Sequence, residues 1–221
     1  MRDRARAGYA AAIAIGLILG IVSAWFDSLP IDTALIVLVA MANAVGPWLA
    51  AAFLAGSRMG DSRRGALAGL LALAVAVLAY YAGIRLIYGD RLAESALLTA
   101  GVWLAAAIFT GPLFGAAGAL WATRTDRWRV LAVALLAGGL LAEAAQRLIE
   151  LEAWDGIDLA RTSMQVAVVD TLAAAVLPLV TLAPRQRVGA YLAAAGLGVI
   201  GLAALSGAML AIDLVLFGRP V

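Results

Sequence analysis

The chain has no cysteine and no histidine among its 221 residues. Without cysteine it can form no disulfide and offers no thiol nucleophile, and without either residue it lacks the usual ligands of haem and zinc. Acid–base chemistry would therefore fall to carboxylates, arginines or tyrosines. The sequence also has no phosphate-binding loop, nucleotide fingerprint or string of metal ligands, so we predict no metal and no cofactor.

Charged residues are scarce and apolar residues are abundant. Charged residues make up 14% of the chain and hydrophobic residues 65%, whereas soluble domains are about 45–50% apolar. A single soluble core of this size could not bury so much apolar surface, and lipid must cover the remainder. The composition predicts an integral membrane protein in contact with membrane lipid, without a separate soluble domain.

The apolar residues form seven segments, each long enough to cross a bilayer, which takes roughly 20 helical residues. The segments are residues 8–26, 31–56, 66–87, 96–121, 130–149, 163–183 and 188–217. We predict an all-α fold, a polytopic transmembrane helix bundle of about seven spans. We expect it to form one integral-membrane domain over residues 1–221.

Lysine is absent as well, so all 16 basic residues are arginines, and eleven of them fall in four short stretches. These are Arg2, Arg4, Arg6, Arg58, Arg63, Arg64, Arg124, Arg127, Arg129, Arg185 and Arg187. They precede the first segment and follow the second, fourth and sixth. Because basic residues stay on the cytoplasmic side of a membrane, the pattern predicts a cytoplasmic N-terminus and an external C-terminus.

The first segment has features of a secretory signal peptide, since arginines precede its apolar run and small residues follow at 22–24. We favour a retained helix because the segment fits a regular spacing along the chain. Pro47, Pro112 and Pro178 lie 65 and 66 residues apart. This spacing indicates three hairpins related by an internal duplication, or equal hairpin lengths alone, and both interpretations remain open. We expect each proline to kink its helix.

Strongly polar residues inside the predicted spans mark function by default, because a charge at the centre of a membrane helix costs about 2.5–3.5 kcal/mol. Glu143, Gln146 and Arg147 share one face of the fifth segment. Tyr81 and Arg85 share a face of the third segment.

The candidate substrate-binding residues come from four segments and share the outer half of the membrane. They are Asn43, Tyr80, Tyr81, Arg85, Glu143, Gln146, Arg147 and Asp170. We predict that they line a polar cavity that opens to the outside above a tightly packed cytoplasmic half. The alternative is a structural network, in which Glu143 pairs with Arg147 and Asp170 bonds a neighbouring helix.

Three pairs of glycines stand four residues apart, a spacing that lets helices approach closely. The pairs are Gly16 and Gly20, Gly65 and Gly69, and Gly111 and Gly115. Packing within the chain is the favoured role, and a homo-oligomer is the alternative.

Residues 43–56, 79–81, 111–115 and 141–144 resemble an uncharacterised family of small multi-pass membrane proteins from GC-rich Gram-positive bacteria. The resemblance covers about residues 10–150 and implies a bacterial cytoplasmic membrane, but no activity. It also implies that the members of one set share an arrangement: Asn43, Trp48, Tyr80, Tyr81 and Glu143.

A looser resemblance is to the substrate-capture subunits of energy-coupling-factor transporters, which bind their substrates in the outer half of the membrane. Those subunits typically have six helices with both termini inside, whereas seven segments are counted in this chain.

The predicted cavity favours a protein that binds or transports a small polar or zwitterionic solute. Arg85 and Arg147 would contact an anionic group of the solute. Glu143 and Asp170 would contact a cationic group, and the tyrosines would stack or hydrogen-bond.

Two other functions remain open. One is an enzyme, less favoured, that uses Glu143 and Asp170 as a carboxylate pair. The other is an accessory subunit of a membrane complex, whose polar face contacts a partner subunit. We predict no nucleic-acid partner, since the arginine-rich loops serve as topology determinants next to anionic lipid.

Overall fold

The structure is a computed structural model, and it describes residues 2–29, 36–42, 44–89, 93–151 and 157–217. Helices and short turns account for all of these ranges, which confirms the predicted all-α fold. The helices are α1 (Arg2–Asp27), α2 (Ile36–Ala42), α3 (Val45–Ser57), α4 (Ser62–Tyr88), α5 (Ala93–Thr123), α6 (Arg127–Glu150), α7 (Ile157–Thr181) and α8 (Pro184–Phe217).

Six of these helices, α1 and α4 to α8, are long and apolar enough to cross a membrane. Each contains long runs of alanine, leucine and valine with few charges, and such side chains suit lipid. The helical conformation pairs the backbone N–H and C=O groups, as a lipid environment requires. Large apolar side chains such as Ile18 and Val199 are 63% and 71% exposed, as a lipid-facing surface requires. The chain is a multi-pass membrane helix bundle; the membrane and the orientation stay predictions.

The second predicted segment, residues 31–56, is not one continuous helix. Its described part consists of α2, with 7 residues, and α3, with 13. At 1.5 Å per residue α3 is about 20 Å long, which is less than the roughly 30 Å of the hydrocarbon core. A crossing here therefore needs both helices, and the count of seven spans stays a prediction.

Pro47 does not kink a continuous helix as we expected, because it lies in the first turn of α3. At that position a missing N–H leaves no helical hydrogen bond unmade. Ala44, just before the helix, is extended with φ −80° and ψ 147°. Pro112 and Pro178, by contrast, lie inside α5 and α7.

The chain folds into two compact units, Met1–Ala132 and Val133–Val221. In the first unit α4 packs against α1, α3 and α5, and α3 also packs against α5. In the second unit α6, α7 and α8 share an alanine-rich core with Leu140. The single domain over residues 1–221 stays a prediction.

Glycines bring the helices of the first unit into close contact. A Cβ placed on Gly69 of α4 would lie 2.7 Å from the Gly115 Cα of α5, and one on Gly20 of α1 would lie 2.9 Å from the Tyr80 nitrogen of α4. Those distances are too short for any side chain, so only glycine permits these crossings. The prediction that glycine pairs pack within the chain is confirmed, and a homo-oligomer stays an alternative.

The second unit uses the same kind of packing with fewer glycines. A Cβ on Gly138 of α6 would lie 2.9 Å from the Ala194 carbonyl oxygen of α8. The Tyr191 hydroxyl of α8 donates to the Ala175 carbonyl of α7 at 2.6 Å. These contacts fix three helices side by side and position the polar residues of α6 and α7.

Candidate functional site

In the first unit, the end of α4 that carries Tyr80 and Tyr81 packs against the C-terminal end of α1. The Tyr80 hydroxyl donates to Asp27 Oδ2 at 2.7 Å. The Tyr88 hydroxyl, two turns further along α4, donates to the Asp27 carbonyl oxygen at 3.5 Å. Asp27 therefore joins the last residue of α1 to α4.

Aromatic rings extend this contact to α3. The Tyr80 and Tyr81 ring centroids are 5.0 Å apart at 88°, and the Trp48 and Tyr80 centroids are 6.4 Å apart at 74°. Edge-to-face pairs of this kind contribute about 0.5–1.5 kcal/mol beyond the burial of their area. The Trp48 indole also donates to the Ala42 carbonyl at 3.4 Å, so it spans the break between α2 and α3.

These contacts hold α1, α3 and α4 together and have a structural role. The Tyr80 hydroxyl and the Asp27 carboxylate satisfy each other, and the rings pack on one another. Arg85, one turn beyond Tyr81, is exposed. Asn43 lies outside the described residues, so its place in this set stays a prediction.

In the second unit, α6 places Glu143 and Arg147 one turn apart. Arg147 Nη2 lies 3.5 Å from Glu143 Oε1, and the two side chains are 24% and 2% exposed. A charge-assisted hydrogen bond is usually 2.7–2.9 Å long, so this ion pair is a loose one. The predicted pairing along α6 is present.

The opposing helix, α7, contributes Asp170, which is 1% exposed. Asp170 falls on the buried face of α7 because Val166 and Ala174, one turn before and after it, are buried as well. Its carboxyl group lies near that of Glu143, and the two interact electrostatically. The fold brings Glu143 and Asp170 near one another from two helices, and we call these two residues the carboxyl pair.

One oxygen of the carboxyl pair is buried without a hydrogen-bond donor in the described part of the chain. Asp170 Oδ2 is buried and has no hydrogen-bond partner among the residues that the structure describes. The other buried atoms without a hydrogen-bond partner among the described side chains belong to the neutral groups of Ser23, Trp121 and Gln165 and to Arg129 Nε. The Arg129 guanidinium makes other contacts, one of them with the Trp121 ring at 5.8 Å. A buried carboxyl oxygen without a donor costs more than a neutral atom does, and groups of this kind are kept where they serve a function.

Gln146, the remaining predicted residue of α6, contacts α8. The Ser206 hydroxyl donates to Gln146 Oε1 at 2.8 Å. This bond holds α8 beside the polar face of α6, and Gln146 acts here as a positioning residue.

The predicted site residues thus form two groups, one in each unit. Tyr80 and Tyr81 meet in the first, and Glu143, Arg147 and Asp170 meet in the second. The expectation that all of them line one outward-facing cavity stays a prediction. Within the described residues no group of three or more carboxylates lies close enough to hold a metal ion.

Sequence reasoning did not include Asp27 and Ser206 in the candidate set. Asp27 carried a usable signal, because an acid at the predicted outer end of the first segment lies near the same end of the bundle as the tyrosines of the third. Ser206 carried none, since a serine in an alanine- and glycine-rich helix is common and its partner is 60 residues away.

The model of a family of unknown function, DUF6518, matches residues 2–214. A family without an assigned activity was expected, and the match runs through the last two helices, beyond the residues 10–150 on which the resemblance was based. No curated protein and no solved structure matches the chain.

Proposed function

This chain belongs to the DUF6518 family, a family of unknown function, and we propose that it binds a small polar solute within the membrane through the solute's ammonium group. The carboxyl pair on α6 and α7 forms the binding site. The observation that carries the proposal is the buried, unpartnered Oδ2 of Asp170.

An ammonium group suits this oxygen for two reasons. It offers three N–H donors, one of which would satisfy Asp170 Oδ2, and it brings a positive charge to two acidic residues. A neutral hydroxyl would supply a donor but no charge.

Arg147 has a different part in this site than we expected from the sequence. It is already paired with Glu143, so its first role is to balance the charge of the carboxyl pair. A zwitterionic solute would need Arg147 to release Glu143 and contact the solute's carboxylate. The geometry therefore best supports recognition of the solute's cationic end. Transport of the solute would be a separate step after binding.

Three probe compounds distinguish these possibilities, because they differ in charge and share a two-carbon spacer between their end groups. Ethanolamine is a cation, β-alanine a zwitterion and 3-hydroxypropionate an anion. We expect ethanolamine to raise the melting temperature of the detergent-purified protein and 3-hydroxypropionate to leave it unchanged. At a hundred times its Kd a ligand stabilises by about 2.7 kcal/mol, a readily measured effect. Stabilisation by β-alanine as well would show that Arg147 accepts a carboxylate.

The matched variants are Asp170→Asn, which keeps the shape and removes the charge, and Thr171→Val as the control. Thr171 is the neighbouring residue on the exposed face of α7, and its hydroxyl bonds only the Ala167 carbonyl of its own helix among the described contacts. Stabilisation should disappear in Asp170→Asn and persist in Thr171→Val. A broader library of amines without a single stabilising compound, or stabilisation that survives Asp170→Asn, would overturn the proposal.

The carboxyl pair also favours a second function, an enzyme that uses two acids in contact, one protonated and one ionised, for hydrolysis or group transfer within the membrane. The observation in its favour is that Glu143 and Asp170 are both buried and interact with one another. Turnover of a lipid or peptide substrate that is lost in both Glu143→Gln and Asp170→Asn would support this function, and turnover that survives either change would exclude it.

A further inference from the structure

We propose that the carboxyl pair holds one shared proton in the solute-free protein, and that this proton is released when a cationic solute binds. The inference rests on the proposed function, because it concerns the same site. It adds a regulation of that site: binding of the cation and binding of the proton exclude one another.

The shared proton follows from the contact between two acids. An ionised carboxylate can only accept hydrogen bonds, so two ionised carboxylates cannot bond to each other. Glu143 and Asp170 lie close enough to repel one another when both are ionised, and a proton on either of them replaces that repulsion with a hydrogen bond. Both side chains are almost fully buried, at 2% and 1% exposure, so water cannot separate their charges.

The charges around the pair lead to the same conclusion. Among the side chains that the structure describes, α6 and α7 bring the titratable groups of Glu143, Arg147 and Asp170 to this place, and α8 contributes the neutral hydroxyl of Ser206 beside Gln146. With both acids ionised, this group would hold one more negative than positive charge inside the membrane. A single proton makes it neutral, which is the less costly state where water is excluded.

The exchange step keeps this balance. Before binding, the site contains one carboxylate, one carboxylic acid and the guanidinium of Arg147. An entering ammonium group donates an N–H to Asp170 Oδ2, the O–H bond of the acid breaks, and its proton passes to water. Two carboxylates then face one guanidinium and one ammonium group, and the site is neutral again. A zwitterion adds no net charge, so it would bind without releasing the proton.

The proton can be observed without any solute by infrared difference spectroscopy of the purified protein at neutral pH. A protonated carboxyl group has a C=O stretching band that ionised carboxylates lack. We expect this band in the wild type and its loss in both Asp170→Asn and Glu143→Gln. Absence of the band in the wild type, or a band unchanged in both variants, would overturn the proposal.

The exchange is tested by titration calorimetry with ethanolamine as the probe, in two buffers of equal pH and different ionisation enthalpy. The difference in heat between the buffers gives the number of protons released, and we expect about one per bound ethanolamine. In Glu143→Gln the amide N–H replaces the shared proton permanently, so any remaining binding should release none.

The two proposals fail in different ways. If ethanolamine binds and Asp170→Asn abolishes binding, but no proton is released, the exchange is wrong and the proposed function stands. If the infrared band is present and no amine binds, the pair holds its proton while the proposed function is wrong, and the exchange is lost with it.

Discussion

The Tyr80 hydroxyl on α4 donates a hydrogen bond of 2.7 Å to the carboxylate of Asp27, the last residue of α1. Fifty-three residues separate the two in sequence. The same two helices cross closely at Gly20, where a Cβ would lie 2.9 Å from the Tyr80 nitrogen. A close backbone crossing and a polar bond at its edge therefore fix α1 against α4.

Replacing Tyr80 with phenylalanine should destabilise the protein by about 1–2 kcal/mol. The change removes a hydrogen bond to a charged acceptor and leaves Asp27 without that donor. The measurement is thermal unfolding in detergent, where we expect the melting temperature to fall by a few degrees. Tyr81→Phe is the matched control, because Tyr81 contributes a ring contact to Tyr80 and no hydroxyl bond among the described residues. Equal melting temperatures for the two variants would contradict the assigned role of the hydroxyl.

Gly115 of α5 lies at the close crossing between α5 and α4. A methyl group there would overlap the Gly65 carbonyl oxygen and lie 2.8 Å from the Gly69 Cα. We expect Gly115→Ala to cost about 1–3 kcal/mol through forced separation of α4 and α5, and Gly115→Val to prevent folding. Thermal unfolding and size-exclusion chromatography would measure both effects.

Gly101 provides the control for Gly115, since it lies on the same helix and a Cβ there would have no atom within 4 Å. Gly101→Ala should be neutral or stabilising, because alanine favours a helix over glycine by about 1 kcal/mol. A Gly115→Ala protein as stable as Gly101→Ala would show that α4 and α5 do not cross where the structure places them.

Much of the fold could be predicted because lipid imposes simple rules on a sequence. Apolar length identified every span-length helix, and the spacing of Gly65 and Gly69 identified a packing face. The break in the second segment was less visible, since residues 36–57 read as one apolar run with Pro47 near its middle. Whether such a proline kinks a helix or begins one depends on the backbone before it, which hydropathy does not encode.

The site was predicted in part for the same kind of reason. Glu143 and Arg147 pair along one helix, so their spacing alone reveals the contact. The contact between Glu143 and Asp170 joins two helices, and it depends on how α6 and α7 are rotated about their axes. The polar face of α6 was visible in the sequence, but α7 shows almost no amphipathic pattern, so nothing in its sequence sets its rotation. The depth of these residues along their helices could be predicted from the sequence, but the direction in which their side chains face could not.

The predicted orientation can be tested directly because the chain has no cysteine. Ser28 follows α1, and Gly60 lies between α3 and α4, where a Cβ would have no atom within 4 Å. In intact cells a membrane-impermeant maleimide should label Ser28→Cys, and it should label Gly60→Cys only after permeabilisation. Each variant controls for the other, since the wild type offers no thiol.

This experiment also decides whether α2 and α3 cross the membrane together. Their 20 residues would span about 30 Å if stacked end to end, just enough for the hydrocarbon core. Labelling of both positions from the same side would show that they do not cross. The arginines at 58, 63 and 64 would then lie outside, against the general preference of basic residues.

Asp170→Leu separates a functional carboxyl pair from a structural one. Leucine branches at the same carbon as aspartate, and the change leaves Glu143 with Arg147 as a charge-balanced pair. If Asp170 is kept for a ligand, removing its unpartnered oxygen from the membrane should stabilise the solute-free protein by about 1–3 kcal/mol while abolishing amine binding. If Asp170 instead holds α7 to α6, the same change should lower the melting temperature. Ser163→Ala, on the same buried face of α7, is the control and should change stability by less than about 1 kcal/mol.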